Sequence, residues 1–228
     1  MTTENDDTAQ PNWALVGKLF RAHPWHGIPI GINAPEVVNC YIEILATDTV
    51  KYEVDKDTGV LRIDRPQRYS NVCPELYGFI PQTYCGEHLA RFTRERTHRD
   101  NIVGDGDPLD ICVLTEKQVA HADVLLRARP IGGLRMLDGN EADDKIIAIL
   151  EGDPSYGFFQ DITQCPKMLV ERLKHYFLTY KQAPDAERTM CEITHIYDHE
   201  EAREVIQLCR KDYLERYEEL AGLLKLLH

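Results

Sequence analysis

The order of elements predicts an α+β fold, mainly β, in which an antiparallel or barrel-like sheet is flanked by helices. Three observations lead there. From Asn39 the chain takes a period of two through NCYIEILA and VKYEVD, turns at DKDTG and continues as VLRIDR. Strand-like runs resume at DICVL, VLLRARPIGGLRML and KIIAIL. Helical periods enter only after these runs, so strands come first and helices follow.

Each element has a local reason. The opening MTTENDDTAQPN is polar and acidic, without the basic and apolar parts of a signal peptide. Residues 1–22 are therefore expected to be a disordered tail and lead-in to one domain over 23–228. HPWHGIPIG, dense in Pro and Gly, reads as irregular. In NCYIEILA, alternation puts Cys40, Ile42 and Ile44 on one face and Tyr41, Glu43 and Leu45 on the other. Lys51, Glu53 and Asp55 share a face of the next strand; Leu61, Ile63 and Arg65 share one beyond the hairpin turn. Residues 81–104 include EHLARFTRERTHRDN, mixed in sign and without a clear period, and are expected to be a surface insertion. In PKMLVERLKHYFLTYK, Leu169, Leu173, Tyr176, Phe177 and Tyr180 recur at helical spacing behind Pro166. A C-terminal helix over 199–228 follows Asp198 as N-cap, with Glu201 three residues on. It packs on its own domain or against another subunit.

Composition removes several function classes. A net charge of −12 repels phosphate backbones, and no Lys/Arg-rich patch reverses it, which argues against nucleic acid. The apolar runs are far too short to span a membrane. The seven cysteines are scattered, with no C-x-x-C pair, so reduced thiols in the cytoplasm are the expectation. The nine histidines form no H-x-H or H-E-x-x-H pattern and read as surface or structural residues.

The chemistry concentrates in GDGDPLDICVL, where Asp105, Asp107 and Asp110 run into an apolar strand. Alone, such a turn is either solvated or a cation site. An EF-hand is excluded, because Pro108 and Leu109 break its ligand spacing. LDGNEADDK repeats the theme: Asp138, Asp143 and Asp144 precede Lys145 at the edge of KIIAIL. With Glu43 and Glu53 these clusters supply oxygen ligands suited to magnesium. Lys51, Arg65, Lys145 and Lys181 lie in or beside the same segments, and carboxylate–metal facing Lys/Arg is the composition of a phosphoryl-transfer site.

Read together, these segments resemble the soluble, family I inorganic pyrophosphatases. HPWHGIPIG, IEI, VKYEVDKDTGVLRIDR, YGFIPQT, DGDPLD, RARPIGGLRMLD, DDKIIAI and YK occur in that family's order over roughly residues 23–181. The resemblance implies an OB-like five-stranded barrel flanked by helices, hydrolysing pyrophosphate to two phosphates with several Mg2+ ions, in a homo-oligomer. It further implies that Asp105, Asp110 and Asp143 hold the metals that generate the attacking hydroxide, and that Asp107 orients or deprotonates it. Asp138, Asp143, Glu43 and Glu53 would engage the metals arriving with substrate. Lys51, Arg65, Tyr77, Lys145, Tyr180 and Lys181 would bind phosphate oxygens. Asp55, Asp64 and Asp144 are read as supporting or solvated neighbours.

Where the family usually has a tyrosine four residues before the one in YGFIP, this chain has Cys73, a weaker donor on a shorter stem. One contact to product phosphate is thereby in question. Two other functions compete: a non-catalytic metal- or phosphate-binding OB-like module, and an enzyme for short polyphosphates or nucleotide phosphates. The retained Asp107, Asp110, Asp143 and Lys145 oppose the first; no P-loop or base pocket supports the second.

Overall fold

Alternation in the first strand, β1 (Val38–Ile44), does not leave a wet face: six of its seven residues are buried. The computed structural model, which describes residues 21–182 and 190–220, shows why. β1 pairs antiparallel with β4 (Leu76–Phe79) on one side and with β7 (Val124–Asp138) on the other. β4 pairs antiparallel with β6 (Asp110–Leu114), β6 runs parallel to β9 (Lys145–Leu150), and β9 returns antiparallel to β7. Five strands thus close a ring with no free edge among them, the expected OB-like barrel.

The remaining strands sit around that ring. β2 (Val50–Val54) and β3 (Leu61–Pro66) form a separate hairpin in which Lys51 lies opposite Arg65. Two short strands, β5 (Val103–Gly104) and β8 (Glu141–Ala142), extend the sheet beyond β7. β6 and β9 bury both faces. Ile111, Val113, Ile146 and Ala148 join one apolar cluster; Cys112, Leu114, Ile147 and Ile149 join the other. Helix α2 (Lys167–Thr179) covers the second cluster with Leu173, Tyr176 and Phe177. Helix α3 (His199–Arg216) covers the first with Ala202, Val205, Ile206 and Cys209, and Asp198 caps it by accepting from the Glu201 N–H.

Three expectations need correction. Residues 81–104, expected as a surface insertion without a clear period, carry helix α1 (Glu87–Thr97), which buries Leu89, Ala90 and Thr93. Its N-terminus is capped from a distance: the Asp212 carboxylate on α3 accepts from the N–H groups of Gly86, His88 and Leu89 at 2.9–3.1 Å. A cap supplied more than 120 residues away leaves no local signal. Between the last two helices lies a strand that the periodicity did not announce, β10 (Cys191–Asp198), paired with β7. A bulge between Ile193 and His195 breaks its alternation. Order also begins within the expected tail, since Arg21 makes an ion pair with Asp123. The helix expected over 199–228 spans His199–Arg216, and residues 1–20 of the tail and 221–228 of that expected helix lie outside the described residues.

Candidate active site

The acidic loop between β5 and β6 is pinned by its own backbone. The Cys85 N–H donates to the Asp107 carbonyl at 2.8 Å, and the Gly106 N–H donates to the Cys85 carbonyl at 3.1 Å. Asp105 folds back to accept from the Asp107 N–H at 2.9 Å, the Asx turn that this spacing favours. Gly106 sits at φ +78°, a conformation that a side chain would strain. Beyond Pro108, the Leu109 N–H donates to the Thr83 hydroxyl at 2.9 Å, and β6 begins at Asp110. Three carboxylates are therefore fixed at one mouth of the barrel.

Other elements bring their groups to the same mouth. β1 supplies Glu43, the β2–β3 hairpin supplies Lys51, Glu53 and Arg65, and β4 supplies Tyr77. Asp138 ends β7; Asp143 and Lys145 flank the entry to β9; Tyr180 and Lys181 follow α2. All thirteen residues anticipated for the site line one cleft of about 230 Å³. Sequence reasoning missed Trp25, Lys56 and Glu141, which also line it. Lys56 and Glu141 stood inside the quoted KYEVDK and LDGNEADDK motifs. Only tertiary packing brings Trp25 in, with its indole N–H donating to the Thr83 carbonyl at 2.7 Å.

Charge in the cleft is arranged in opposed pairs. The Lys145 side chain, 2 % exposed, pairs with both Asp110 and Asp143. Lys56 pairs with Asp107, Lys181 with Asp138, and the Tyr77 hydroxyl donates to Asp110. Burial lifts the Glu43 carboxyl to about 8, even though it accepts from the Val54 N–H at 2.6 Å. Burial, with Asp143 and Asp110 close by, lifts Asp105 to about 8 as well. Asp110 is raised in the same way, against the pull of Lys145. Burial works against the Lys145 ammonium, but Asp110 and Asp143 carry its pKa well above the ordinary lysine value. Carboxylates that resist ionising in this way mark a place short of positive charge.

That shortage fits divalent cations. The donors are all oxygens, which suit a hard ion such as magnesium. Among the described residues, no three metal-ligating groups are gathered into a finished cage. The ammonium groups of Lys56, Lys145 and Lys181 instead share the carboxylates.

Of the three neighbouring carboxylates read as supporting or solvated, each makes contacts of its own. Asp55 accepts from the Thr58 N–H and hydroxyl within the hairpin turn, and Asp64 pairs with Lys51 and Arg65. Asp144 is not solvated: it is 1 % exposed and meets Arg135. Cys73 is fully buried in the cluster that holds Cys112 and is not among the cleft-lining residues, whereas Tyr176 is. The Tyr180 ring stacks on Tyr176 with centroids 5.5 Å apart, and Lys181 lies 5.2 Å above the Tyr180 ring.

Comparison with known proteins agrees with this geometry. A sequence model described as inorganic pyrophosphatase matches residues 40–214. The chain is 52% identical over 199 residues to an inorganic pyrophosphatase of Chlamydia trachomatis, covering 86% of this chain and 95% of that one. It is 42% identical over 170 residues to a soluble inorganic pyrophosphatase of Oryza sativa, covering 75% and 71% respectively. Among solved structures, an inorganic pyrophosphatase from Thermus thermophilus superposes with a TM-score of 0.69 at 30% identity, covering 83% of this chain and 98% of that one. Acidic loop, barrel and sequence agree: the chain belongs to the inorganic pyrophosphatase family.

Proposed function

We propose that this cleft hydrolyses inorganic pyrophosphate to two phosphates with Mg2+ and without a covalent enzyme intermediate. One observation carries the reading: thirteen acidic, basic and phenolic side chains from separate elements converge on a single cleft, with carboxylates and cations facing each other. Lys51, Arg65, Lys145 and Lys181, with the Tyr77 and Tyr180 hydroxyls, hold the phosphate oxygens. Asp107, 43 % exposed at its side chain, accepts a proton from the attacking water. As water oxygen bonds to one phosphorus, the bridging P–O bond breaks and its electron pair leaves with the second phosphate. The fixed cations meet the charge that develops there. Glu43, Glu53, Asp105, Asp110, Asp138 and Asp143 would hold magnesium ions, which supply Lewis-acid polarisation and charge neutralisation when bound.

Seven free cysteines, all buried, accord with a cytoplasmic setting. A homo-oligomer, carried over from the resemblance, is checked by sedimentation. The discriminating test of function compares pyrophosphate, tripolyphosphate and a nucleoside triphosphate with magnesium present, alongside calorimetric binding. The reading predicts rapid phosphate release from pyrophosphate and little from the others. Binding without release would establish the non-catalytic module instead.

A further inference from the structure

Asp143, Asp144 and Lys145 send alternate side chains to opposite sides of the chain. Asp143 and Lys145 line the cleft; Asp144, between them, turns into the core. Arg135 of β7 meets it there, and each residue is only 1 % exposed. Arg135 Nη2 lies 3.4 Å from Asp144 Oδ2, and Nη1 donates to Glu201 Oε1 of α3 at 2.8 Å. The Tyr197 hydroxyl of β10 donates to the same Asp144 oxygen at 3.0 Å. The guanidinium also lies 4.9 Å from the Phe92 ring and 5.1 Å from the Tyr197 ring. Next to it, the Asp143 N–H donates to the Met136 carbonyl at 3.0 Å.

As a source of stability this bridge is poor. Arg135 Nε and Asp144 Oδ1 are buried without partners, and the ion-pair contact is long. Such a pair rarely repays its desolvation, and apolar side chains of similar volume often do as well or better. A charged pair supplies direction instead. Asp144 is accommodated only with its carboxylate toward Arg135, and a slip of one residue would turn Asp143 and Lys145 into the core.

We propose that Arg135 is a positioning residue: its buried bridge to Asp144 fixes the register of residues 143–145 and so holds Asp143 and Lys145 in the cleft. This rests on the reading of those two residues as parts of the site.

The test is the paired apolar variant Arg135→Met/Asp144→Leu beside the wild type. Three quantities are read: thermal midpoint, kcat and KM for pyrophosphate, and magnesium affinity by calorimetry. The proposal predicts a midpoint equal to or above wild type, a kcat lowered about tenfold or more, and magnesium binding weakened severalfold, as for losses of supporting contacts around metal ligands. Unchanged kcat and magnesium affinity in a folded paired variant would overturn it. Should that variant fail to fold, Tyr197→Phe removes only one hydroxyl from Asp144. It is predicted to weaken magnesium binding and lower kcat about two- to fivefold, and unchanged values would overturn the proposal equally. Arg135→Lys should recover much of the kcat lost in Arg135→Met, which mere space filling would not produce. Wild type that binds magnesium without hydrolysing pyrophosphate would refute the proposed function, while calorimetry on the variants still decides the positioning role.

Discussion

Glu43→Gln is a clean perturbation of the cleft's charge, because glutamine keeps an oxygen for the Val54 N–H that now donates to Glu43 at 2.6 Å. Burial lifts the Glu43 carboxyl from its ordinary 4.5 to about 8. The folded chain therefore holds a proton that the unfolded chain gives up above about pH 4.5. The stability is complete below that pH and is lost as pH rises through about 8. At about 1.36 kcal/mol per pKa unit the loss has a ceiling of about 5 kcal/mol, and water in the cleft brings the realised value to roughly 2–5 kcal/mol. For a chain of this size that corresponds to about 5–15 °C in Tm. The assay is thermal denaturation in excess chelator at pH 5, 6.5 and 8.5. Asp105 titrates over the same window, so the comparison between wild type and Glu43→Gln isolates Glu43. The two should agree at pH 5 and diverge with rising pH, the variant being the more stable at 8.5. Added magnesium should then stabilise wild type more than the variant. Parallel curves across this range would refute the reasoning.

Three further outcomes follow from burial and contact. Lys145→Met strips Asp110 and Asp143 of their shared ammonium, and removing one side of a buried pair costs about 3–5 kcal/mol; chelator-treated protein at pH 7.5 should show this loss in urea unfolding. Gly104→Ala would place a methyl 2.2 Å from the Cys85 carbonyl oxygen, which is backbone and cannot swing aside. The acidic loop must then shift, lowering stability by about 1–3 kcal/mol and weakening magnesium binding by calorimetry. Cys73→Tyr forces a ring into a fully buried site, so its main effect should be a stability loss of about 1–3 kcal/mol rather than tighter phosphate binding. Thermal midpoints and phosphate titration separate the two effects.

The parts legible in the sequence are those whose cause is local. DKDTG announced its hairpin, DGDPLD announced a turn feeding a strand, and period two placed Lys51 and Glu53 on one face. Both residues line the cleft. The barrel's closure and the site roles came through the family resemblance, since no local pattern says that β1 meets β7. What escaped was decided across the fold. Helix α1 takes its cap from Asp212, β10 hides its period behind a bulge, and nothing in the local run ADDK says that Arg135 faces Asp144 in the core. Lys56 was written in plain view within KYEVDK, but its meeting with Asp107 required the loop and the hairpin to be folded together.

As proposed, this acidic cleft turns pyrophosphate into two phosphates, with Asp107 taking the proton of the attacking water. The most direct measurement is phosphate release from pyrophosphate at saturating magnesium, wild type against Asp107→Asn, with magnesium binding checked in both. Wild type should release phosphate in a magnesium-dependent way, and Asp107→Asn should show a kcat about 10²- to 10⁴-fold lower, the usual contribution of a positioned proton acceptor. An Asp107→Asn variant that binds magnesium and turns over at the wild-type rate would contradict it, as would a wild type that releases no phosphate.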